Sequence, residues 1–453
     1  MHRIAISGLV ALAAVFGGAA VPAVAMAHST AAVRPTSAVR PTSAVRPTSA
    51  VRPVSAVAIR AARAAIEADG PSGEPLISCV LATDCLGVEG SSSLSTGGGP
   101  SIPIRVARLT GSSWKGVGVA LPKGAKSADL NGVACKGVKS CLVVGDYYTS
   151  TSQNAANHAL ALSYNGTSLK PTPAVPLPKG TTDAVLTGVS CATTSYCVAV
   201  GQAAGNTAAF GDSGSLNINE TWNGAKWTLH IAASTAGATM VQLINVSCAT
   251  SAFCALTGTV SSFSASSFTV KLYAQSWNGK KLTTMKSATA SGAGDVFETT
   301  SASCATASNC AVTGVDVGNV SSKTPTLTAL TEIWNGKTWQ PAKVAWPKGT
   351  AQSFTLGVSC YGAHTCEVVG MDGKSTAETA PFDAAAVLFK GTAGTLQAVP
   401  APPKGYSTAF ADVSCLPSGS CLATGDTGKA TASTGALMTG VWNGKAWKLH
   451  PGF

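Results

Sequence analysis

Beyond residue 70 the chain contains two arginines, Arg105 and Arg108, and nowhere does it carry a close cysteine quartet or a nucleotide-binding phrase. Each shortage removes a class of function. Cysteines spaced C-x₂₋₄-C, the usual zinc spacing, are missing, so a zinc fold is excluded. No H-E-x-x-H, P-loop or dinucleotide phrase occurs, which leaves metalloprotease and nucleotide chemistry without a carrier. Nucleic acid is not an expected partner, because arginine is scarce and the aromatics belong to a repeat. Apart from Ile4 to Ala20, no run approaches the roughly 20 apolar residues a spanning helix needs.

That single apolar run follows Met1-His2-Arg3 and leads to small residues ending Ala25-Met26-Ala27. It reads as a secretory signal over residues 1–27 with an A-x-A exit, so a secreted, extracellular or wall-associated chain without a mature transmembrane span is expected. The first cysteine is Cys79, far from that exit, which does not suit a lipid anchor. Residues 28–75 hold a hexapeptide array, Ala-Val-Arg-Pro-Thr-Ser, with Arg34, Arg40, Arg46 and Arg52 each followed by proline. Regular proline favours extended polyproline-II chain with a reach on the order of 90 Å, and Ile59 to Ala68 reads as a short helix. The tail is expected to be disordered and to touch anionic polymer. Residues 71–453 hold 24 basic and 18 acidic side chains, a mildly basic body.

What is abundant is repetition. The 14 cysteines form seven pairs, each with five residues between its members, recurring every 55 to 57 residues. They are Cys79/Cys85, Cys135/Cys141, Cys191/Cys197, Cys248/Cys254, Cys304/Cys310, Cys360/Cys366 and Cys415/Cys421. Export and one fixed spacing argue that each pair closes as a local disulfide, adding about 2 kcal/mol apiece through loop closure. A period of this length denotes stacked or radially arranged copies of one unit.

In the third unit, Leu186 to Cys191 and Cys197 to Gly201 read as two strands around a five-residue loop. Asn217 to Trp222 and Trp227 to Leu229 read as two more around Asn223-Gly224, a strong hairpin signal. Trp277-Asn278-Gly279, Trp334-Asn335-Gly336 and Trp442-Asn443-Gly444 repeat the phrase, with weaker forms at Tyr164, Phe389 and Leu109. Seven four-stranded units over residues 76–453 predict an all-β, seven-bladed β-propeller with one disulfide in each blade, closed as a ring and monomeric. An open solenoid is the alternative.

The Trp-Asn-Gly-Lys-x-Trp turn resembles the Asp-box, or BNR, hairpin of sialidase-like propellers: Gly336-Lys337-Thr338-Trp339 matches its second half, and Trp334 stands where that family has Asp. Val-Ser-Cys, Cys-x-Ala-Val-Gly and Trp-Asn-Gly together also resemble secreted actinobacterial propeller repeats, over residues 77 to 449. The resemblance implies the fold and export, and no particular activity.

In such a fold the disulfides and Trp-Asn-Gly turns share one face, and the longer connections share the other, where sites are usually built. Two candidate sets fall on that loop face. Glu89, Asp146, Asp316, Asp372 and Asp426 follow the second strand in five units and would ring the channel mouth for a cation or amino sugar, or else be ordinary turn residues. Lys123, Lys179, Lys348 and Lys404 sit in Pro-Lys-Gly turns suited to phosphate or carboxylate, or simply to solvent. No cofactor is expected; a structural cation such as calcium is the one group the carboxylates would suit. The tryptophans read as packing residues, and His230 and His450 share one repeat position.

Two arginines cannot form the triad a sialidase-type mechanism needs. Gly211-Asp212-Ser213-Gly214 resembles the nucleophile phrase of chymotrypsin-like proteases, without that family's Ala-Ala-His-Cys phrase. The expected role is therefore binding a cell-envelope polysaccharide or an extracellular protein through the loop face. A glycoside hydrolase or lyase using loop-face carboxylates is one alternative; a structural surface protein is another.

Overall fold

The structure, a computed structural model, describes residues 75–89, 104–150, 155–205, 215–231, 240–263, 268–287, 296–318, 326–377, 380–430 and 435–453. The expected signal, the arginine/proline tail with its short helix, and residues 211–214 of the protease-like phrase lie outside them.

Every described unit is an antiparallel sheet whose strands a, b, c and d lie side by side in chain order. In unit 3 these are Thr181–Thr193, Tyr196–Gly205, Ser215–Trp222 and Trp227–Ile231. The a strands of the seven units are Pro75–Leu81, Ser127–Gly137, Thr181–Thr193, Met240–Thr250, Val296–Thr306, Gln352–Cys360 and Tyr406–Cys415. Each touches the a strand of the next unit, and the last touches the first. The sheets are thus blades arranged radially around their a strands, in a closed ring.

All seven cysteine pairs face each other across strands a and b and are bonded: Cys79–Cys85, Cys135–Cys141, Cys191–Cys197, Cys248–Cys254, Cys304–Cys310, Cys360–Cys366 and Cys415–Cys421, with Cα atoms 3.9 to 4.0 Å apart. One expectation needs correction here. The five-residue loop inside each pair is not a loop in blade 3: Cys191 pairs with Cys197, a bulge follows, and Thr193 pairs with Tyr196, leaving a two-residue turn. The strands continue past the disulfide because the bulge lets both edges keep pairing. Within the disulfides, the strand-b partners are packed inside the blades. Cys85, Cys254 and Cys310 are 0% exposed, Cys366 1% and Cys421 3%. Their sulfurs sit among apolar side chains, as Cys366 does beside Val358, Val368 and Phe389, and Cys421 beside Phe410 and Trp447.

A second bulge explains the glycine of Cys-x-Ala-Val-Gly. In blades 2 to 7 strand a bulges opposite a strand-b glycine, as at Leu186/Gly188 against Gly201 and Phe410/Asp412 against Gly425. A Cβ on Gly145, Gly201, Gly258, Gly314, Gly370 or Gly425 would lie 1.8 to 2.0 Å from a strand-a carbonyl oxygen. Only glycine admits that approach.

The serine of Val-Ser-Cys joins blade to blade. Ser78 Oγ accepts the Cys135 N–H at 2.9 Å, and Ser190, Ser247, Ser303 and Ser359 accept those of Cys248, Cys304, Cys360 and Cys415 at 2.8 to 2.9 Å. Ser414 closes the ladder onto Cys79 at 3.0 Å. Only the seam between blades 2 and 3 lacks this rung, because Ala134 stands in the serine position. At the rim the stitching is backbone: the chain leaving blade 1, Gly118–Val119, pairs in parallel with strand d of blade 2, and blades 4 and 5 repeat this toward their successors.

Apolar residues fill the seams between these sheets. One cluster joins Leu142, Val144 and Ala161 of blade 2 to Leu186, Ile218, Trp222 and Trp227 of blade 3. Trp222, Trp334 and Trp442 stand opposite Trp227, Trp339 and Trp447 across the c-d hairpin, ring centroids 5.2 to 5.8 Å apart. Six tryptophans are buried, Trp339 completely. They are packing residues, unavailable for stacking on a ligand from solution.

Candidate functional site on the loop face

The four Pro-Lys-Gly phrases form the same turn. In each, the residue after glycine donates its N–H to the proline carbonyl: Ala125 to Pro122, Thr181 to Pro178, Thr350 to Pro347 and Tyr406 to Pro403, at 2.9 to 3.2 Å. The glycines have φ of 81° to 89°, the left-handed conformation a type II turn requires at its third residue. Lysine therefore occupies the corner, and Lys123, Lys179, Lys348 and Lys404 are all exposed. The turns lead into strand a of blades 2, 3, 6 and 7, so they lie on one face of the ring. Exposed Lys126, Lys374, Lys429 and Arg105 lie at the same ends of blades 2, 6, 7 and 1. In ring order these cations occupy blades 6, 7, 1, 2 and 3, a continuous arc.

The carboxylates take the opposite disposition. Glu89, Asp146, Asp372 and Asp426 are 5%, 3%, 8% and 7% exposed, and Asp316 is half-buried. They do not follow strand b, as expected, but lie within it, because that strand runs on to Glu89, Tyr148, Gly318, Gly373 and Lys429. Nor do they share one orientation. Relative to the strand-b glycine, Glu89 stands at the glycine position itself, Asp146 and Asp426 one residue on, Asp316 and Asp372 two residues on. A shift of one residue turns a strand side chain to the other sheet face, so the five acids form no ring.

Asp146 is held instead in a local bracket. Asn131 Nδ2 donates to it at 3.2 Å and to the Leu186 carbonyl of the next blade at 3.1 Å. Burial pushes the Asp146 carboxyl up to about 6 against the pull of bonds from Tyr148, Asn131 and Asn157. Burial, then the Asp146 and Asp129 charges, holds the Tyr148 phenol above its ordinary range, which keeps it protonated. Burial and the Glu89 carboxylate push Asp426 up to about 7. Glu89 is raised by burial and held back by Arg105, 3.6 Å away. Burial raises Asp372, countered by a Thr350 hydroxyl at 3.2 Å. Among the described residues no group of three or more His, Cys, Asp or Glu side chains is placed to hold a metal ion.

Arg108 is committed elsewhere: it pairs with Asp84 and lies 5.0 Å from the Tyr164 ring centroid, tying blade 1 to blade 2. His230 is likewise structural, bonded to Thr221 at 3.2 Å and 4.7 Å from the Trp277 ring. No helix of the described residues is long and apolar enough to cross a membrane.

No family model and no curated protein matches the chain. Solved structures do. A PL25 ulvan lyase bound to -[GlcA(1-4)Rha3S]- aligns with TM-score 0.50 at 8% identity, covering 84% of this chain and 96% of that one. The β-propeller domain of the Trilobed protease from Pyrococcus furiosus aligns with TM-score 0.45 at 8% identity over 84% and 97% of the two chains. YCF48 bound to a D1 peptide aligns with TM-score 0.41 at 10% identity over 80% and 91%. The chain is a seven-bladed β-propeller. At such identities the likeness is one of fold.

Sequence reasoning located the propeller's four turn lysines and missed the rest of the arc. Lys126, Lys374, Lys429 and Arg105 carry no repeated phrase; only the strand ends reveal that they share a face. Asn131, Tyr148 and Asn157 were missed for a related reason, since their meeting at Asp146 depends on the bulge and the strand register.

Proposed function

We propose that this propeller is an exported binding protein whose loop face takes an anionic cell-envelope polysaccharide. One observation carries the reading. Four lysines are presented outward by four identical turns on one face, while the acids of the same blade ends are turned inward. Clustered exposed cations over buried carboxyls raise the local concentration of a polyanion, and an arc over five adjacent blades suits a chain better than a point ligand. Seven disulfides fit an oxidising compartment, and the arginine tail would add salt-sensitive attraction. Hydrolysis has less behind it: the acids with the most raised pKa values, Glu220 and Glu367, are 0% exposed inside the blades.

The test is binding of anionic wall polysaccharide to the full chain and to the variant with Lys123, Lys179, Lys348 and Lys404 all changed to serine. We expect at least a tenfold loss of affinity, the same melting temperature, and weaker binding of wild type at high salt. Equal affinity of the two proteins would sink the reading. Deleting residues 28–70 then separates the tail's share from that of the face.

A further inference from the structure

The disulfide-bearing face, opposite the loop face, holds the a-b and c-d turns of every blade. Its charge runs one way. Between the paired cysteines and in the seven c-d turns Asp84 is the one acid, and Arg108 pairs with it. Lysine recurs there instead: Lys139, Lys226, Lys280, Lys337, Lys390 and Lys445 come from six consecutive blades, 2 to 7, and all are exposed.

Four of the six are presented by one construction. In blades 3, 4, 5 and 7 the Asn of Trp-Asn-Gly accepts, on its Oδ1, the N–H of Lys226, Lys280, Lys337 or Lys445 at 2.9 to 3.0 Å. The glycine between takes φ of 87° to 92°. Each lysine is thus pinned by its backbone at the tip of a hairpin while its side chain stands in solvent. Blade 6 puts Lys390 at the equivalent turn, between strands Phe382–Lys390 and Ala393–Leu396, and ties that turn to its a-b turn through the Gly391 N–H and the His364 carbonyl at 2.9 Å. Blade 2 has Thr167 where blade 5 has Lys337. Its a-b turn supplies the charge instead, because Lys139 lies over Gly166, where an added Cβ would come 2.9 Å from the lysine Cγ. The c-d hairpins stand farthest from the central a strands and at the same place in every blade, so the six charges follow the rim at one level.

The inner turns of the same face add apolar tips. Leu81 and Val138, in the a-b turns of neighbouring blades 1 and 2, are 53% and 45% exposed, and Pro417 is exposed in that of blade 7. Blades 3, 4 and 5 have Thr194-Ser195, Ser251-Ala252 and Ala307-Ser308 there. A hydrated polyanion gains nothing from leucine and valine tips. A lipid interface does, since apolar side chains enter the headgroup region while the lysines around them meet anionic headgroups.

We propose that the disulfide-bearing face docks on an anionic lipid bilayer, with Leu81 and Val138 entering the headgroup layer and the rim lysines set against lipid phosphates. The loop face then points away from the bilayer, open to its own ligand. The two surfaces share no residue, and this docking does not rest on polysaccharide binding.

The experiment is sedimentation of the full-length protein with vesicles of phosphatidylglycerol and phosphatidylcholine, and with vesicles of phosphatidylcholine alone, at low and high salt. Three variants accompany wild type: the six rim lysines changed to serine, Leu81→Ser combined with Val138→Ser, and the loop-face variant lacking Lys123, Lys179, Lys348 and Lys404. All the altered side chains are exposed, so each variant should melt near wild type. One lysine close to an anionic surface changes partitioning by roughly fivefold, and the six-lysine variant should bind anionic vesicles at least about tenfold more weakly. The Leu81→Ser/Val138→Ser variant should lose at least about threefold at both salt concentrations, because apolar insertion is not screened. The loop-face variant should bind vesicles as wild type does, and the six-lysine variant should keep its affinity for polysaccharide. All four proteins carry the arginine tail, so binding by the tail alone would leave the six-lysine variant undiminished. That result, absence of binding to anionic vesicles, equal binding to phosphatidylcholine alone, an equal loss in the loop-face variant, or unchanged binding by Leu81→Ser/Val138→Ser overturns the proposal. So does loss of polysaccharide affinity in the six-lysine variant with vesicle binding intact, which would assign the face to a polymer.

Discussion

Glu220 shows how one side chain can set the pH response of the whole chain. It lies on strand c of blade 3 between Ile218 and Trp222 on the same sheet face, opposite Ala199 and Leu229. It is 0% exposed, and among the described residues neither carboxyl oxygen has a hydrogen-bond partner. Burial pushes its pKa from 4.5 to about 8. Glu367, Glu298 and Glu332 are raised the same way, to about 8, 7 and 7. In each case the folded state holds a proton that the unfolded chain releases near pH 4.5. Their stabilising effect is therefore complete below about pH 4.5 and is lost as pH rises toward about 8. His230, whose pKa burial lowers, opposes this only as it titrates near and below its unfolded value. Melting temperature should fall between pH 5 and pH 9. Glu220→Gln should match wild type near pH 5 and exceed it at pH 9 by a few kcal/mol, on the order expected for a shift of several pKa units. A melting curve that climbs with pH, or an unchanged slope in Glu220→Gln, would contradict this account.

At the scale of strands and hairpins, the serine ladder makes the next prediction. Ser303 Oγ receives the Cys360 N–H of the following blade at 2.9 Å. Ser303→Ala leaves a main-chain N–H without its partner, a cost of about 1–3 kcal/mol, measurable by urea unfolding. Wild-type stability in that variant would mean the donor finds another acceptor. This rung also marks the limit of what was legible in the sequence. Val-Ser-Cys, Cys-x-Ala-Val-Gly and Trp-Asn-Gly announced the strands, the disulfides and the hairpins, because those features depend on residues close together in the chain. That the serine bonds the next blade was not legible, since the bond joins residues 56 to 58 positions apart. The carboxylates failed for a sharper reason. Whether Asp146 or Asp316 faces a given neighbour turns on a single residue of register, and the strand-a bulge resets that register.

At the scale of the ring, closure joins residues from the two ends of the described chain. The Ile77 N–H donates to Asp412 Oδ2 at 2.9 Å, the Cys79 N–H to Ser414 Oγ at 3.0 Å, and Thr424 Oγ1 to the Pro75 carbonyl at 2.6 Å. Blade 1 has a further opening. Where blades 2 to 7 place Val143, Ala199, Leu256, Val312, Val368 and Ala423, all buried, it has Gly87. Phe453, carried there from blade 7, fills the space: its ring lies 2.5 Å from where a Gly87 Cβ would be, and 4.9 Å from the Trp114 ring. The two residues are thus a matched hole and plug. Phe453→Ala empties the hole and should cost about 2–3 kcal/mol, below the range for a fully buried phenylalanine because the ring is half-buried. Gly87→Ala drives a methyl into the ring and should cost about 1–3 kcal/mol. Together they relieve each other, because the new methyl occupies part of the vacated space. The double variant should be more stable than the sum of the single losses by at least about 1 kcal/mol, read from a double-mutant cycle in urea. Strict additivity would place the ring's closing contact in the strand-a hydrogen bonds alone, with Phe453 a bystander.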